Sequence, residues 1–235
     1  TTLEKSSENN QFARLKSRDW VREQCFRSNY FFQTAVCSEA WPDKFRDFGY
    51  IQRLMCGFLQ DKRYNKKFMS AFRLSFKTTV LLGYEAWMFC TSLARKVPLA
   101  MIYDTMTKEN AWNFALDVKQ TIIENEFMRW VYPELPKFEK DYDIVSKNRI
   151  QYQHVKLDFA SLDTTIVSRH YPDWINDDLE NDKNIKTAYL REDLKNQWRY
   201  QKAVLTKIIK KGIGNEIEVG TPYHYDGLIW MIRNN

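Results

Sequence analysis

The most regular signal along the chain is the spacing of its apolar positions. Between residues 50 and 59 they fall at 51, 54, 55, 58 and 59, the period of an amphipathic helix. A basic turn over 61–67 follows, then the short apolar run Phe68-Met69. Residues 78–94 form a mainly apolar stretch of 17 residues with Glu85 inside it. That is short of the roughly 20 residues a bilayer-spanning helix needs, so a buried helix is predicted. Residues 98–103 make a compact apolar run suited to an interior strand. Thr107 is placed to cap a helix from 108 to about 132, where Pro133 stops it. Residues 137–150 are polar and read as loop, while 164–167 and 174–175 read as short strands. Residues 183–211 are charged with a helical period that Gly212 and Gly214 end. Residues 216–219 alternate as a strand and run directly into Gly220-Thr-Pro222. The charged, aromatic segment 11–32 reads as a helix or an extended arm. Strands alternating with helices predict an α/β fold with a mainly parallel central sheet and helices on both faces. Such folds bind ligands at the carboxyl ends of their strands, where loops 71–78, 104–107, 177–180 and 220–224 fall.

Composition narrows the chemistry. The 235 residues are 44% hydrophobic and 28% charged, a globular balance that excludes wholesale disorder. Only 7 are glycine, so a conventional glycine-rich phosphate loop is not expected. Net charge is +6, and it is uneven: residues 1–100 hold 17 Lys+Arg against 9 Asp+Glu, the remainder 19 against 21. Arg14, Lys16, Arg18, Arg22, Arg27, Lys62, Arg63, Lys66 and Lys67 are candidates for a basic face toward a polyanion, or for an ordinary solvated surface. Cys25, Cys37, Cys56 and Cys90 have no Cys-x-x-Cys spacing, which argues against a zinc site or disulfide scaffold and for a reducing compartment. The polar first ten residues exclude a signal peptide, and the non-methionine start suggests a processed or excised piece.

Three segments could carry chemistry. Ala71-Phe-Arg-Leu-Ser-Phe-Lys-Thr78 has the frame G-x-x-x-x-G-K-S/T with Ala71 and Phe76 in place of both glycines. In that frame backbone N–H groups cradle phosphates, the lysine reaches the β/γ oxygens and the hydroxyl binds Mg²⁺. Lys77 and Thr78 keep the last two roles between a strand and a helix; an ordinary strand-to-helix corner is the plain alternative. A loop without glycine must either avoid positive φ or carry strain. The second segment is Pro172-Asp-Trp-Ile-Asn-Asp-Asp-Leu-Glu180, where a short strand ends in adjacent carboxylates. One could order Mg²⁺ and a neighbour, Asp178 or Glu180, could orient the attacking water. A solvated acidic turn and a two-metal nuclease site of Asp173, Asp177, Asp178 and Glu180 fit the same residues. The third is Val219-Gly-Thr-Pro-Tyr-His224, a hydroxyl and an imidazole at a strand end.

Their order and spacing resemble one family, the ATPase domain of the large terminase subunit, the DNA-packaging motor of tailed bacteriophages. The resemblance runs from about residue 45 to 230. Phe72-Arg-Leu-Ser-Phe-Lys-Thr-Thr79 resembles its arginine-containing Walker A segment, and Met101-Ile-Tyr-Asp-Thr-Met-Thr-Lys-Glu-Asn-Ala111 its second strand and following helix. Ser168-Arg-His-Tyr-Pro-Asp-Trp-Ile-Asn-Asp-Asp178 resembles the Walker B approach, and Val219-Gly-Thr-Pro-Tyr-His-Tyr-Asp226 the coupling motif. Gln52 sits where these ATPases carry an adenine-reading glutamine. Phe76 departs from the family glycine, Asp178 stands where many members have a catalytic Glu, and the sequence ends at Asn235, before the nuclease domain that normally follows, so DNA cleavage is not expected of this piece.

The resemblance implies a P-loop NTPase of the ASCE/RecA-like type, with a helical or lid segment over 1–44 and an ATPase core over 45–235. It implies ATP and Mg²⁺ as cofactors. Gln52, Arg73, Leu74, Ser75, Phe76, Lys77, Thr78 and Thr79 would bind nucleotide, with Thr78 and Asp177 on the metal. Asp178 would position the lytic water, with Glu180 in reserve. Arg73 would meet the γ-phosphate in cis or sense hydrolysis, and Arg169 is placed as a trans-acting finger. Gly220 and Thr221 would couple hydrolysis to movement. Implied partners are double-stranded DNA, the viral portal, the small terminase subunit and further copies in a ring, with a monomer also compatible for an isolated domain and no membrane. The implied location is host cytoplasm, transiently at the procapsid portal. Two rivals stay open: a metal-dependent nuclease, and a non-hydrolysing DNA-binding or structural module with a degenerate phosphate loop.

Overall fold

The computed structural model describes residues 16–45, 47–162, 171–209 and 214–234. The strand expected over 164–167, and Arg14, Arg169 and Gly212, lie outside them. The described residues fall into two units: one within Thr1–Asp61, Ser75–Leu99 and Phe114–Leu157, the other within Lys62–Leu74, Ala100–Asn113 and Asp158–Asn235.

The first unit is mainly helical. Ser17 accepts the Trp20 N–H to start α1 (Arg18–Arg27), and Ser28 accepts the Phe31 N–H to start α2 (Asn29–Phe32). A π turn over Gln33–Cys37, α3 (Ser38–Ala40), α4 (Pro42–Phe45) and α5 (Tyr50–Gln60) follow. Helix α5 buries Gln52, Met55, Cys56 and Leu59, whereas Tyr50, Ile51, Leu54 and Phe58 are exposed. The apolar period is therefore real, but only part of its stripe is the core side. Helix α6 (Lys77–Arg95) is buried along most of its length, as its apolar run requires.

Two expectations need correction. The helix expected over 108–132 is two, α7 (Lys108–Ile123) and α8 (Glu126–Val131). Asn125 breaks it: its Oδ1 accepts the Met128 N–H and its Nδ2 donates to Val36 O at 2.8 Å. Thr107 does cap α7, accepting the Asn110 N–H at 3.2 Å. The region 137–150, expected as loop, holds a 3-10 turn (Glu139–Asp141) and an antiparallel hairpin of β3 (Ile144–Ser146) and β4 (Arg149–Tyr152). Several of the expected basic-face residues are otherwise engaged, among them Arg27, which pairs with Glu23 at 2.8 Å. Arg22 pairs with Glu134, and Lys67 is 4% exposed.

The strands form one seven-stranded, mostly parallel mixed sheet in the order β1-β7-β6-β2-β5-β4-β3. The others are β1 (Lys66–Ser70), β2 (Leu99–Thr105), β5 (Val155–Ser161), β6 (Asp173–Asp177) and β7 (Asn215–Gly220). Strand β7 runs parallel to both neighbours, with Ser70 opposite Gly220 and Asp177 opposite Val219. Helix α9 (Ala188–Ile209) covers this unit's apolar cluster of Ile102, Trp174, Leu194 and Trp198. Its start is later than the expected 183, at the Thr187 hydroxyl that accepts the Leu190 N–H. The chain closes with α10 (Leu228–Arg233). Gly214, one of the two glycines expected to end the helix, immediately precedes β7 at φ +89°, where an added Cβ would lie 1.7 Å from the Pro172 carbonyl oxygen. Only glycine fits there.

One face of β7 is polar although buried. Glu218 accepts from Trp198 Nε1 at 2.8 Å and from Asn176 Nδ2 at 3.0 and 3.1 Å, and Glu216 pairs with Lys202 at 2.6 Å. Burial pushes the Glu218 carboxyl up to about 8. Among the described residues no helix is long and apolar enough to cross a membrane.

Candidate functional site

Strand β1 leads into the loop 71–76, whose backbone answers the question its missing glycines raise. Leu74 and Phe76 stand at φ +65° and +59°, both in the left-handed region. Each costs about 1–2 kcal/mol for a residue with a Cβ. The loop thus takes the strained course. Left-handed residues thus stand on either side of Ser75, and left-handed positions of this kind are a component of concave anion-binding nests. Leu74 is 92% exposed, while Ser75 is buried at 2% and its Oγ has no hydrogen-bond partner. Phe76 is the N-cap of α6, offers no side-chain cap, and packs edge-on to Phe48 at 6.4 Å. Lys77 is buried at the first position of α6, with Thr78 exposed and Thr79 half-buried. Gln52 reaches the loop from α5: its Nε2 donates to Ser75 O at 3.0 Å and its Oε1 accepts the Gly49 N–H at 2.9 Å.

Strands β6 and β7, in the same unit as β1, end side by side. Asp177 is 2% exposed and accepts from the Tyr103 hydroxyl at 3.0 Å. Asp178 turns the chain at φ +47°, and its Oδ1 accepts the Thr221 N–H at 3.1 Å. Thr221 Oγ1 donates to Ala71 O at 3.0 Å, and the Ala71 N–H donates to Gly220 O at 3.2 Å. Thr221 therefore touches both the loop after β1 and the carboxylate after β6. Arg73 is exposed; its Nη2 donates to the Tyr223 hydroxyl at 2.7 Å and lies 3.8 Å from Asp182.

Glu180 is 1% exposed and engaged elsewhere. It accepts N–H groups from Ile229 at 2.9 Å and Tyr223 at 3.3 Å, so its carboxylate closes the start of α10. Burial raises its pKa, and the bonds from Ile229, Tyr223 and Leu228 act the other way. Gly227 makes room for it, since a Cβ there would lie 2.2 Å from Glu180 Oε1. Asp173 occupies the opposite end of β6 from Asp177, about 13 Å along an extended strand. Among the described residues no group of three or more His, Cys, Asp or Glu is gathered as a metal centre.

The loop residues, Asp177, Asp178, Gly220 and Thr221 all stand at the carboxyl ends of strands or in the loops that follow them. Arg169 falls outside the described residues. The sequence reading missed Tyr103, Tyr223, Gly227 and Phe48. Tyr223 and Gly227 follow the 219–222 turn closely, while Tyr103 and Phe48 carry no local signal, because their contacts are 74 and 28 residues distant.

The site thus belongs to an α/β protein with its candidate residues at the carboxyl edge of a mostly parallel sheet. In fold the chain is similar to the crystal structure of the HK97 bacteriophage large terminase, with a TM-score of 0.53 and 11% identity. The similarity covers 80% of this chain and 36% of that one, so the chain spans about a third of its length. No protein-family model and no curated protein sequence matches the chain.

Proposed function

We propose that this chain is an ATP-hydrolysing motor of the large-terminase kind, moving double-stranded DNA into a preformed viral capsid. The position of Thr221 carries the reading. Strand β7 lies between β1 and β6, and Thr221 at its end is bonded to the loop after one and the carboxylate after the other. A residue tied to both loops responds when either moves, as coupling of hydrolysis to motion requires.

Bound MgATP supplies the phosphoanhydride bond and the charge that is redistributed on cleavage. The left-handed backbone at Leu74 and Phe76 supports an anion-binding loop, with Lys77 neutralising the β/γ-phosphates at the helix start. Thr78 and Asp177 are the oxygen ligands the resemblance assigns to Mg²⁺. Asp178 orients the attacking water, because the Glu180 carboxylate is committed to α10. Arg73 passes from Tyr223 to the γ-phosphate, and Arg169 acts in trans between copies in a ring. DNA is held through its phosphates, with the portal and the small subunit as further partners, so binding weakens steeply with salt.

The test is calorimetric binding of MgATP to the chain and to Lys77→Ala, with hydrolysis by Asp178→Asn and Glu180→Gln. Binding is expected in the parent and lost in Lys77→Ala. Asp178→Asn should bind normally and turn over at least about 100-fold more slowly. Absence of both binding and hydrolysis at millimolar nucleotide, in the parent and in Phe76→Gly, would sink the proposal. A Glu180→Gln defect larger than that of Asp178→Asn would reassign the base.

A further inference from the structure

Gln52 is the residue the family resemblance places at the adenine base, and its surroundings give it different work. Its side chain lies on the buried side of α5, 7% exposed. Both heteroatoms are engaged: Oε1 takes the Gly49 N–H at 2.9 Å, closing the start of its own helix, and Nε2 gives a proton to Ser75 O at 3.0 Å. An amide reads adenine by presenting its oxygen and nitrogen together to one edge of the base. Here each atom is turned to a backbone group.

The bond to Ser75 has a directional consequence. The Ser75 carbonyl and the Phe76 N–H belong to one planar trans peptide, so fixing the first fixes the second in the opposite direction. Gln52 holds the carbonyl inward, and the Phe76 N–H is therefore aimed away from α5. Phe76 is then kept left-handed, with its ring against Phe48, whose own carbonyl accepts from the Tyr30 hydroxyl at 3.2 Å. The segment 48–52 grips the end of the loop at two points, a buried amide and an aromatic edge. Phe76 O in turn accepts the Val80 N–H at 2.9 Å, the first turn of α6. A non-glycine left-handed residue persists only where its surroundings over-determine it. These contacts do so.

We infer that Gln52 is a positioning residue that aims the Ser75–Phe76 peptide at the phosphates of a nucleoside triphosphate, leaving the base unread, so that the site takes purine triphosphates with little regard for the base. This rests on the proposed nucleotide-binding role of the loop and names its substrate class more broadly. Three consequences follow. ATP and GTP bind alike. Loss of the Gln52 amide weakens both, and weakens a triphosphate with no base as much. The start of α6 loosens even without ligand.

The experiment uses the full chain, with Gln52→Ala and Gln52→Glu; the second keeps the acceptor for Gly49 and removes the donor to Ser75. Affinities for MgATP, MgGTP and magnesium tripolyphosphate are measured by calorimetry. Amide exchange at Val80 is followed in the nucleotide-free proteins. In the parent the ATP and GTP constants should agree within about threefold, and both variants should weaken all three ligands by a common factor of about ten. Exchange at Val80 should quicken in both. A parent preference for ATP over GTP of more than about tenfold, abolished in the variants while tripolyphosphate binding is untouched, would make Gln52 a base reader and overturn the inference. Unchanged Val80 exchange with unchanged affinities would overturn it too. Failure of the parent to bind any of the three removes the phosphate-loop reading itself. Faster Val80 exchange would then still show that Gln52 braces the loop. If Gln52→Ala does not fold, Gln52→Glu carries every comparison.

Discussion

Two helices begin just beyond a strand end, and they begin differently. The start of α10 is filled from within: Glu180 bonds the Ile229 and Tyr223 N–H groups, and Gly227 leaves the space. The start of α6 has no side-chain cap, no acidic residue in its first turn, and Lys77 at its first position. A helix N-terminus carries partial positive charge, so a lysine there is unfavourable unless an anion joins it. One helix start is internally neutralised. The other follows a loop with left-handed backbone at Leu74 and Phe76, and on the proposed function it would receive the phosphates of a bound nucleotide.

The largest expected effect comes from a buried glutamate with no helix start to receive it. Glu218 relies on Trp198 and Asn176, and burial pushes its pKa up to about 8. Between its ordinary value and about 8 the unfolded chain has released this proton while the native protein keeps it. Stability therefore falls as pH rises through that window, and levels off above it. Between pH 6 and pH 9 the loss is on the order of 3 kcal/mol, and Glu218→Gln should remove that slope. Urea midpoints at pH 6 and pH 9 check it; an unchanged slope would place Glu218 among the comfortably ionised carboxylates. Next comes Glu180→Ala, which strands backbone donors at α10 and should cost about 2 kcal/mol. A cost near zero would erase the contrast between the two helix starts.

A smaller effect separates Phe76→Gly from Phe76→Ala. Both lose the ring on Phe48, but only glycine relieves the left-handed backbone, so the glycine variant should be about 1 kcal/mol more stable than the alanine. Equal melting would mean that the α6 start is not held left-handed. The smallest is Thr221: replacement by Val removes the hydroxyl bond to Ala71 O and should cost about 0.5–1 kcal/mol, while Ser should retain it. A matched loss in both variants would point to the methyl group instead.

What the sequence made legible follows from what is local. The runs that became α6 and β2 are mainly apolar over their own length, β7 alternates, the Trp174-Ile175 pair marks β6, and Lys77-Thr78 announces itself by spacing from the strand before it. Elsewhere distant contacts decide. Asn125 breaks a helix partly because Val36, 89 residues away, offers a carbonyl. The stripe on α5 reveals a helix but not that Gln52, rather than Ile51, faces inward. Glu180 looks like a spare base until Ile229, 49 residues on, is seen to claim it. The hairpin over 144–152 is short and polar, and its pairing supplies the order that its composition does not.

All four thiols, at Cys25, Cys37, Cys56 and Cys90, lie in the first unit, each at 0% exposure and each with its pKa raised by burial. An alkylating reagent reaches them only through an opening of that unit, since the reactive species is the thiolate. The rate of native-state thiol labelling is thus a built-in clock for one half of the molecule, silent on the other. It times that half's breathing without any change to the sequence.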